Sequence, residues 1–184
     1  MSEVNKSELL EKTAEYMNYL AQHKENIRKA WIELSQALSG IELLERSEIQ
    51  NNMEWRIRSH DDSKMDEAEF LPYRQHFFPV AEEVINEQDF QRAWKSHYRH
   101  NDHHWQYWID DYGNFNSYYD VDAKICAYLE MVCDWQAMGY VNGDSAPAYY
   151  KAHKEEIKLD PHWQPFVEEI LGLLDDYLNK KVAE

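Results

Sequence analysis

The stretch "EQDFQRAWKSHYRHNDHHWQYW", residues 87–108, decides the fold class. Phe90, Trp94, His97, Asn101, His104 and Trp108 advance by four, three, four, three and four positions, the period of one face of an α-helix rather than the strict alternation of a strand. The spacing predicts a helix from about Glu87 to Trp108. Its inward face begins apolar, turns polar for two turns and ends apolar again, so His97, Asn101 and His104 need polar partners from neighbouring elements. His100 and His103 fall off that face and are expected nearer solvent.

Working outward, the same period recurs. Leu9, Thr13, Tyr16, Leu20, Ile27, Trp31, Leu34 and Leu38 share one face of a predicted first helix from Ser7, a candidate N-cap, to Leu38, and His23 falls in that series between Leu20 and Ile27. A second helix opens near Ser47 with Ile49, Met53 and Ile57 inward; the next position in phase is His60, within "RSHDDSKM", residues 58–65. Asp66 with Glu69 reads as a capping pair opening a short helical turn, and Pro72 and Pro79 bracket a connecting segment. On the other side, residues 109–120, "IDDYGNFNSYYD", read as a loop. A helix from Val121 to Met138 follows, with Gly139 placed to end it, and on it Glu130 and Asp134 face the same way. Two closing helices are expected, one near Pro147 to Ile157 and one opened by "LDPHW", with Asp160 as N-cap and Pro161 first in the helix. The chain therefore reads as all-α: one helical-bundle domain over residues 1–184, core about 7–178, with six or seven helices.

Composition narrows the function. The 184 residues carry 19 basic and 35 acidic side chains, a formal charge of −16, which repels a phosphate backbone and argues against a long nucleic-acid partner. Cys126 and Cys133 stand seven apart on a predicted helix, too distant to bridge; both read as reduced packing residues, as in a cytoplasmic chain. No stretch approaches the run of about 20 apolar residues of a membrane span, and the N-terminus lacks the pattern of a signal peptide. Nothing in the sequence sets an oligomeric state.

Four predicted helices present inward histidine or carboxylate: His23; His60 with Asp61; His97 and His104; Asp134. A single inward histidine is more often a hydrogen-bonded core residue, and Glu130 with Asp134 could be a solvated pair, although like charges four apart repel unless a cation intervenes. The convergence favours a site for one or two divalent transition-metal ions, Mn, Fe, Co, Ni or Zn, which accept mixed imidazole and carboxylate shells between helices.

The order His, His-Asp, Asp, carried by His23, His60, Asp61 and Asp134, resembles the HD-domain superfamily of metal-dependent phosphohydrolases, and Lys64 in "HDDSK" matches the His-Asp-x-x-Lys form of many members. More closely, "HK" at 23, "SHDDSKMDEAEFLPY", "AWKSHYRHNDHHW" and "LEMVCDWQAM" look like the uncharacterised DUF5662 type of bacterial and phage proteins, over about residues 20–175. The HD resemblance implies a bundle of HD type. It also implies hydrolysis of a small phosphorylated substrate, a nucleotide or related phosphomonoester or phosphodiester. In that reading His23, His60, Asp61 and Asp134 hold an ion and Asp61 bridges to a second. His97 and His104 supply the ligands of the second ion or one serves as general acid, with His104 assigned to the metal and His97 to catalysis. Lys64 offsets charge on the phosphate, and Glu130 orients a water or a ligand histidine. Two other readings stay open: a di-iron oxygenase on the same scaffold, and a non-catalytic interaction protein with a structural metal site.

Overall fold

A computed structural model describes residues 5–116 and 120–183. Eight α-helices follow in order among them: α1 (Lys6–Ala37), α2 (Glu42–Glu45), α3 (Ser47–Ser59), α4 (Glu67–Phe77), α5 (Glu87–His100), α6 (Val121–Asn142), α7 (Ala146–His153) and α8 (Gln164–Ala183). Short 3-10 turns occupy Asp62–Met65 and Trp105–Trp108. The only β pairing among the described residues is an isolated bridge between Ile109 and Phe115, so the all-α expectation holds.

Helix α6 forms the axis of the bundle because it has no polar face to keep wet: every residue from Lys124 to Cys133 is buried. A helix buried all round must be covered on every side, and α1, α3, α7 and α8 pack around it. The main core runs through Ile27 and Leu34 of α1, Ile49 and Met53 of α3, Leu129 and Val132 of α6, and Val167 and Leu174 of α8. A second, smaller cluster gathers Tyr16, Leu20, Tyr73 and Ala93, with Phe70, Phe78, Phe90 and Trp94 against them. His23 sits where α1 passes from the smaller cluster to the larger. Cys126 and Cys133 are buried free thiols, as expected. No helix of the described residues is long and apolar enough to cross a membrane.

Several boundaries differ from the periodicity reading. Asn5 rather than Ser7 caps α1, accepting the Ser7 N–H at 3.0 Å. Helix α5 stops at His100: Asn101 is extended (φ −114, ψ 106), and both its backbone N–H and its side-chain amide donate to the His97 carbonyl, at 3.0 and 2.8 Å. Trp108 thus reaches the core from a separate turn, its indole N–H donating to the Asp102 carbonyl at 2.8 Å. Pro72 lies inside α4 instead of bounding it. Helix α6 continues through Gly139 to Asn142 and ends on Gly143, whose φ of 73 suits the left-handed cap. Gly139 has another function: a Cβ there would lie 2.6 Å from the Asp144 carbonyl oxygen, where the chain turns back toward α7. Helix α7 ends at His153, and Ile157 closes a following turn. Asp160 begins a turn whose side chain accepts the His162 N–H at 3.0 Å, and α8 proper starts at Gln164.

Candidate metal centre

The centre is organised by the end of α3. His60 is its C-cap, and Asp61 follows with φ 57 and ψ 20, a left-handed conformation that aspartate tolerates better than most residues. The reversal aims the His60 ring and the Asp61 carboxylate into the same interior point, where both are buried. The 3-10 turn that follows brings Lys64 onto Asp61 Oδ2.

Two groups of donor atoms meet at Asp61. Around Oδ2, His23 Nε2 lies at 3.5 Å and His60 Nε2 at 3.6 Å. The two imidazole nitrogens are 3.2 Å apart, and Asp134 Oδ1 is 3.3 Å from the first and 3.7 Å from the second. Around Oδ1, His97 Nε2 lies at 3.1 Å and His103 Nε2 at 3.5 Å. His104 joins these three residues in a group whose donor atoms all lie within 4.8 Å of one another. An ion with ligands at about 2.1 Å in tetrahedral or octahedral array spaces neighbouring donors roughly 3.0–3.4 Å apart, so both groups have the scale of a coordination shell.

Behind the rings stand two buried glutamates. Glu130 Oε1 is 2.8 Å from His60 Nδ1 and 3.3 Å from His103 Nδ1. Glu69 Oε2 is 2.8 Å from His97 Nδ1 and also accepts the Ser63 hydroxyl at 3.0 Å. A carboxylate only accepts, so each contacted Nδ1 carries a hydrogen and donates, which in the neutral ring leaves the Nε2 lone pair directed into the centre. Arg56 anchors Glu130 from outside at 2.9 Å and grips both oxygens of Asp102 at 2.6 and 2.7 Å.

The electrostatics describe a centre that wants positive charge. Burial opposes ionisation of Asp61, yet Lys64 and His60 outweigh it and hold its carboxyl well below the usual range. Burial likewise opposes ionisation of Asp134, and hydrogen bonds from His23 and His60 prevail; for Glu130 the winning partners are His103 and His60. In return, burial works against charge on His23, but Asp134 and Asp61 push its pKa up to about 9. His60 reaches about 9 against the same penalty through Asp61 and Asp134, and His103 through Glu130 and Asp61. His104 goes the other way: burial, then its neighbours His103 and His97, drive its pKa well below the ordinary value. The carboxylates of the centre thus favour positive charge at three of the rings.

Four donor atoms have no hydrogen-bond partner at all: Asp61 Oδ1 and the Nε2 atoms of His97, His103 and His104. Leaving one buried polar atom unsatisfied costs about 1–3 kcal/mol, and four converging on one point are the signature of a missing shared partner. The residues present fit a divalent cation.

Each residue singled out in the sequence is therefore at the centre: His23, His60, Asp61, His104 and Asp134 supply donors, Lys64 pairs with Asp61, Glu130 backs two histidines, and His97 presents Nε2 among the donors. His103, expected nearer solvent, is buried and central, a correction that follows from the early end of α5. Glu69, expected to cap α4, instead turns inward to His97. The DUF5662 family, described as a family of unknown function, matches residues 12–173, which span every donor from His23 to Asp134. The chain belongs to the DUF5662 family. No curated protein and no solved structure matches it.

Several cavities border the centre of this DUF5662 protein, and two of them have different linings. One, of about 430 Å³, is lined by Arg56, His60, Asp61, Asp102, His103 and Glu130 among others. The other, of about 470 Å³, has Tyr19, Tyr73, Phe90, Trp94 and Met138 in its walls, with His23, Lys64, His104 and Asp134 also lining it.

Proposed function

We propose that this DUF5662 protein is a metal-dependent hydrolase of a small phosphorylated substrate, with two divalent transition-metal ions at the centre. The observation that carries the reading is the pair of Asp61 oxygens, each belonging to its own group of imidazole donors, with four of the buried donor atoms otherwise unpartnered. The resemblance of His23, His60-Asp61 and Asp134 to the HD-domain superfamily supports the same chemistry. His23, His60 and Asp134 would hold one ion, His97, His103 and His104 the other, and Asp61 both. Divalent ions held there would supply a nucleophile at neutral pH and electrostatic stabilisation of a phosphoryl group.

The chain's own groups divide the remaining work. Glu69 and Glu130 fix the orientation of His97, His60 and His103. His97 is better suited to ligation than to general-acid catalysis, because its Nδ1 hydrogen is committed to Glu69 and its Nε2 faces Asp61. Lys64 keeps its proton, since Asp61 and Asp134 outweigh the burial that opposes its charge, and is the cation available to a phosphate oxygen.

Elemental analysis of the purified protein beside Asp61→Ala tests the reading. One or two equivalents of transition metal, lost in the variant, with release of phosphate from monoesters by the loaded protein, would support it. Protein that cannot be loaded with Mn, Fe, Co, Ni or Zn would sink it and favour an interaction protein. The five converging imidazoles also favour a second reading, a di-iron oxygenase; near-stoichiometric iron with substrate-dependent dioxygen uptake and no phosphate release would select it.

A further inference from the structure

We infer that the substrate is a phosphomonoester bearing a single phosphate on an aromatic or otherwise apolar alcohol, bound with its body between Trp94 and Phe90 of α5 and Met138 of α6 and its phosphate toward Lys64. The inference rests on the hydrolytic reading and narrows its substrate.

Three observations select the cavity. The first is access. The Asp134 side chain is 17 % exposed, whereas those of Asp61, His23, His60, His97 and His103 are at most 5 % exposed; Asp134 lines the aromatic cavity and is absent from the lining of the polar one. Both cavities therefore touch donors, His60, Asp61 and His103 in the polar one and His23, His104 and Asp134 in the aromatic one, and the most open donor carboxylate faces the aromatic side. The second is charge. The polar cavity sets Asp61, Asp62, Asp102 and Glu130 against one guanidinium, Arg56, already engaged by two of those carboxylates. The aromatic cavity has one carboxylate in its lining, Asp134, against Lys64, whose partner Asp61 lies outside that lining. An anion is repelled by the first and tolerated by the second.

The third is the character of the walls. Tyr19, Tyr73, Phe77, Phe90, Trp94 and Met138 give a mostly apolar surface, and the ionisable groups of the lining are His23, Lys64, Tyr19, Tyr73, His104 and Asp134. A neighbouring cavity of about 270 Å³ shares Trp94, His104, Asp134 and Met138, and adds Trp105, Trp135 and Tyr149. Ring faces accept a flat or apolar body without demanding hydrogen bonds. Among the lining residues Lys64 is the only permanent cation, so a second or third phosphate would be desolvated with no charge to meet it. A compact polar alcohol such as glycerol would leave the rings uncovered.

The reaction balances simply. The water oxygen bonds to phosphorus, the P–O bond to the alcohol breaks with its electron pair on the ester oxygen, and that oxygen takes up a proton. One ester and one water give one alcohol and one inorganic phosphate.

Binding separates this inference from the hydrolytic reading. Phenylphosphonate, whose P–C bond resists hydrolysis, and methylphosphonate are titrated by calorimetry into the full chain loaded with Mn(II). The expected result is phenylphosphonate binding at least about tenfold tighter, the scale of one buried ring, with the ratio falling below about threefold in Trp94→Leu and in Met138→Ala, lining residues from two different helices. Equal affinities in the wild type, or a ratio unchanged in both variants, would overturn the inference. Phenyl phosphate, glycerol 3-phosphate and ATP are then offered as substrates. Higher kcat/KM on phenyl phosphate supports the proposal, and preference for ATP or glycerol 3-phosphate overturns it. No turnover of any ester while the phosphonate ratio holds removes the hydrolytic reading and leaves the ligand class standing.

Discussion

With its backbone left-handed, Asp61 turns the chain sharply enough for a carboxylate to follow a ligand-type histidine without pointing away from it. Each of its oxygens then meets a different pair of rings, an arrangement by which a single aspartate could serve two ions. Glu69 has the complementary task for His97. We expect Glu69→Gln to weaken the ion bound through His97 by about tenfold, the low end of the effect of losing a carboxylate behind a ligand histidine, and to spare the ion at His23 and His60. Chelator competition followed by elemental analysis checks this; wild-type affinity at both positions would deny Glu69 a positioning role. His23 and Asp134 were legible in the sequence because phase counting along uninterrupted helices finds inward residues; His60 fell in phase although it caps α3, and Asp61, left-handed beyond it, was named from the His-Asp pair and its family resemblance. His103 was not, because counting through Asn101 assumed a helix that the asparagine ends. Glu69 was hidden for a different reason: three residues after Asp66 is also the spacing of a capping box, and only the structure shows that Asp66 makes no side-chain cap bond.

At the scale of elements, helix identity was readable and helix ends were not, since ends depend on contacts from elsewhere in the chain. Gly139 shows it. A glycine near the end of an apolar run suggests a stop, but α6 continues and the missing side chain makes room for the Asp144 carbonyl. In an open helix interior Gly→Ala would stabilise by about 0.8–1 kcal/mol; here Gly139→Ala is expected to destabilise by about 1–3 kcal/mol through overpacking, and the sign of the change in a urea titration decides between the two. The joint between α7 and α8 makes a pH prediction. Glu168 accepts hydrogen bonds from Lys154 of the α7 C-cap, from Gln164 and from Tyr150, and these, Lys154 foremost, pull its pKa from 4.5 down to about 2 against slight burial. A depressed carboxylate contributes stability above its unfolded pKa and loses it as pH falls through the folded one. The stability difference between wild type and Glu168→Gln should thus be present at pH 6 and shrink between about pH 4.5 and pH 2; a difference constant over that range would show that the charge is irrelevant.

For the whole molecule, the polar centre lies between two apolar clusters that do not merge, and its donors come from α1, the end of α3, α5, the segment after α5, and α6. Ions bound there would hold together elements spread from residue 23 to residue 134. Metal loading is expected to stabilise the fold by about 2.7 kcal/mol at a free-ion concentration one hundred times the dissociation constant, and a chelator should lower the melting temperature correspondingly. An unchanged melting curve would mean that no ion binds the native chain preferentially. The acidity of the sequence announced no such centre, since net charge is set by surface residues; what announced it was the run of polar side chains on a face that periodicity places indoors.

The burial of the donors also has a temporal side. Asp134 is the one donor of the first group with appreciable exposure, and of the five rings four are nearly sealed, His104 being half-buried. Solvent would reach an ion held there only through the cavities that border it, and freeing the packed rings from it would require helices to part. Isotope exchange of the bound metal should therefore run at the pace of local opening, with a half-time that shortens in denaturant below the unfolding midpoint and is insensitive to chelator concentration. The lifetime of an ion held there would then be a property of the bundle's breathing rather than of the metal–ligand bond.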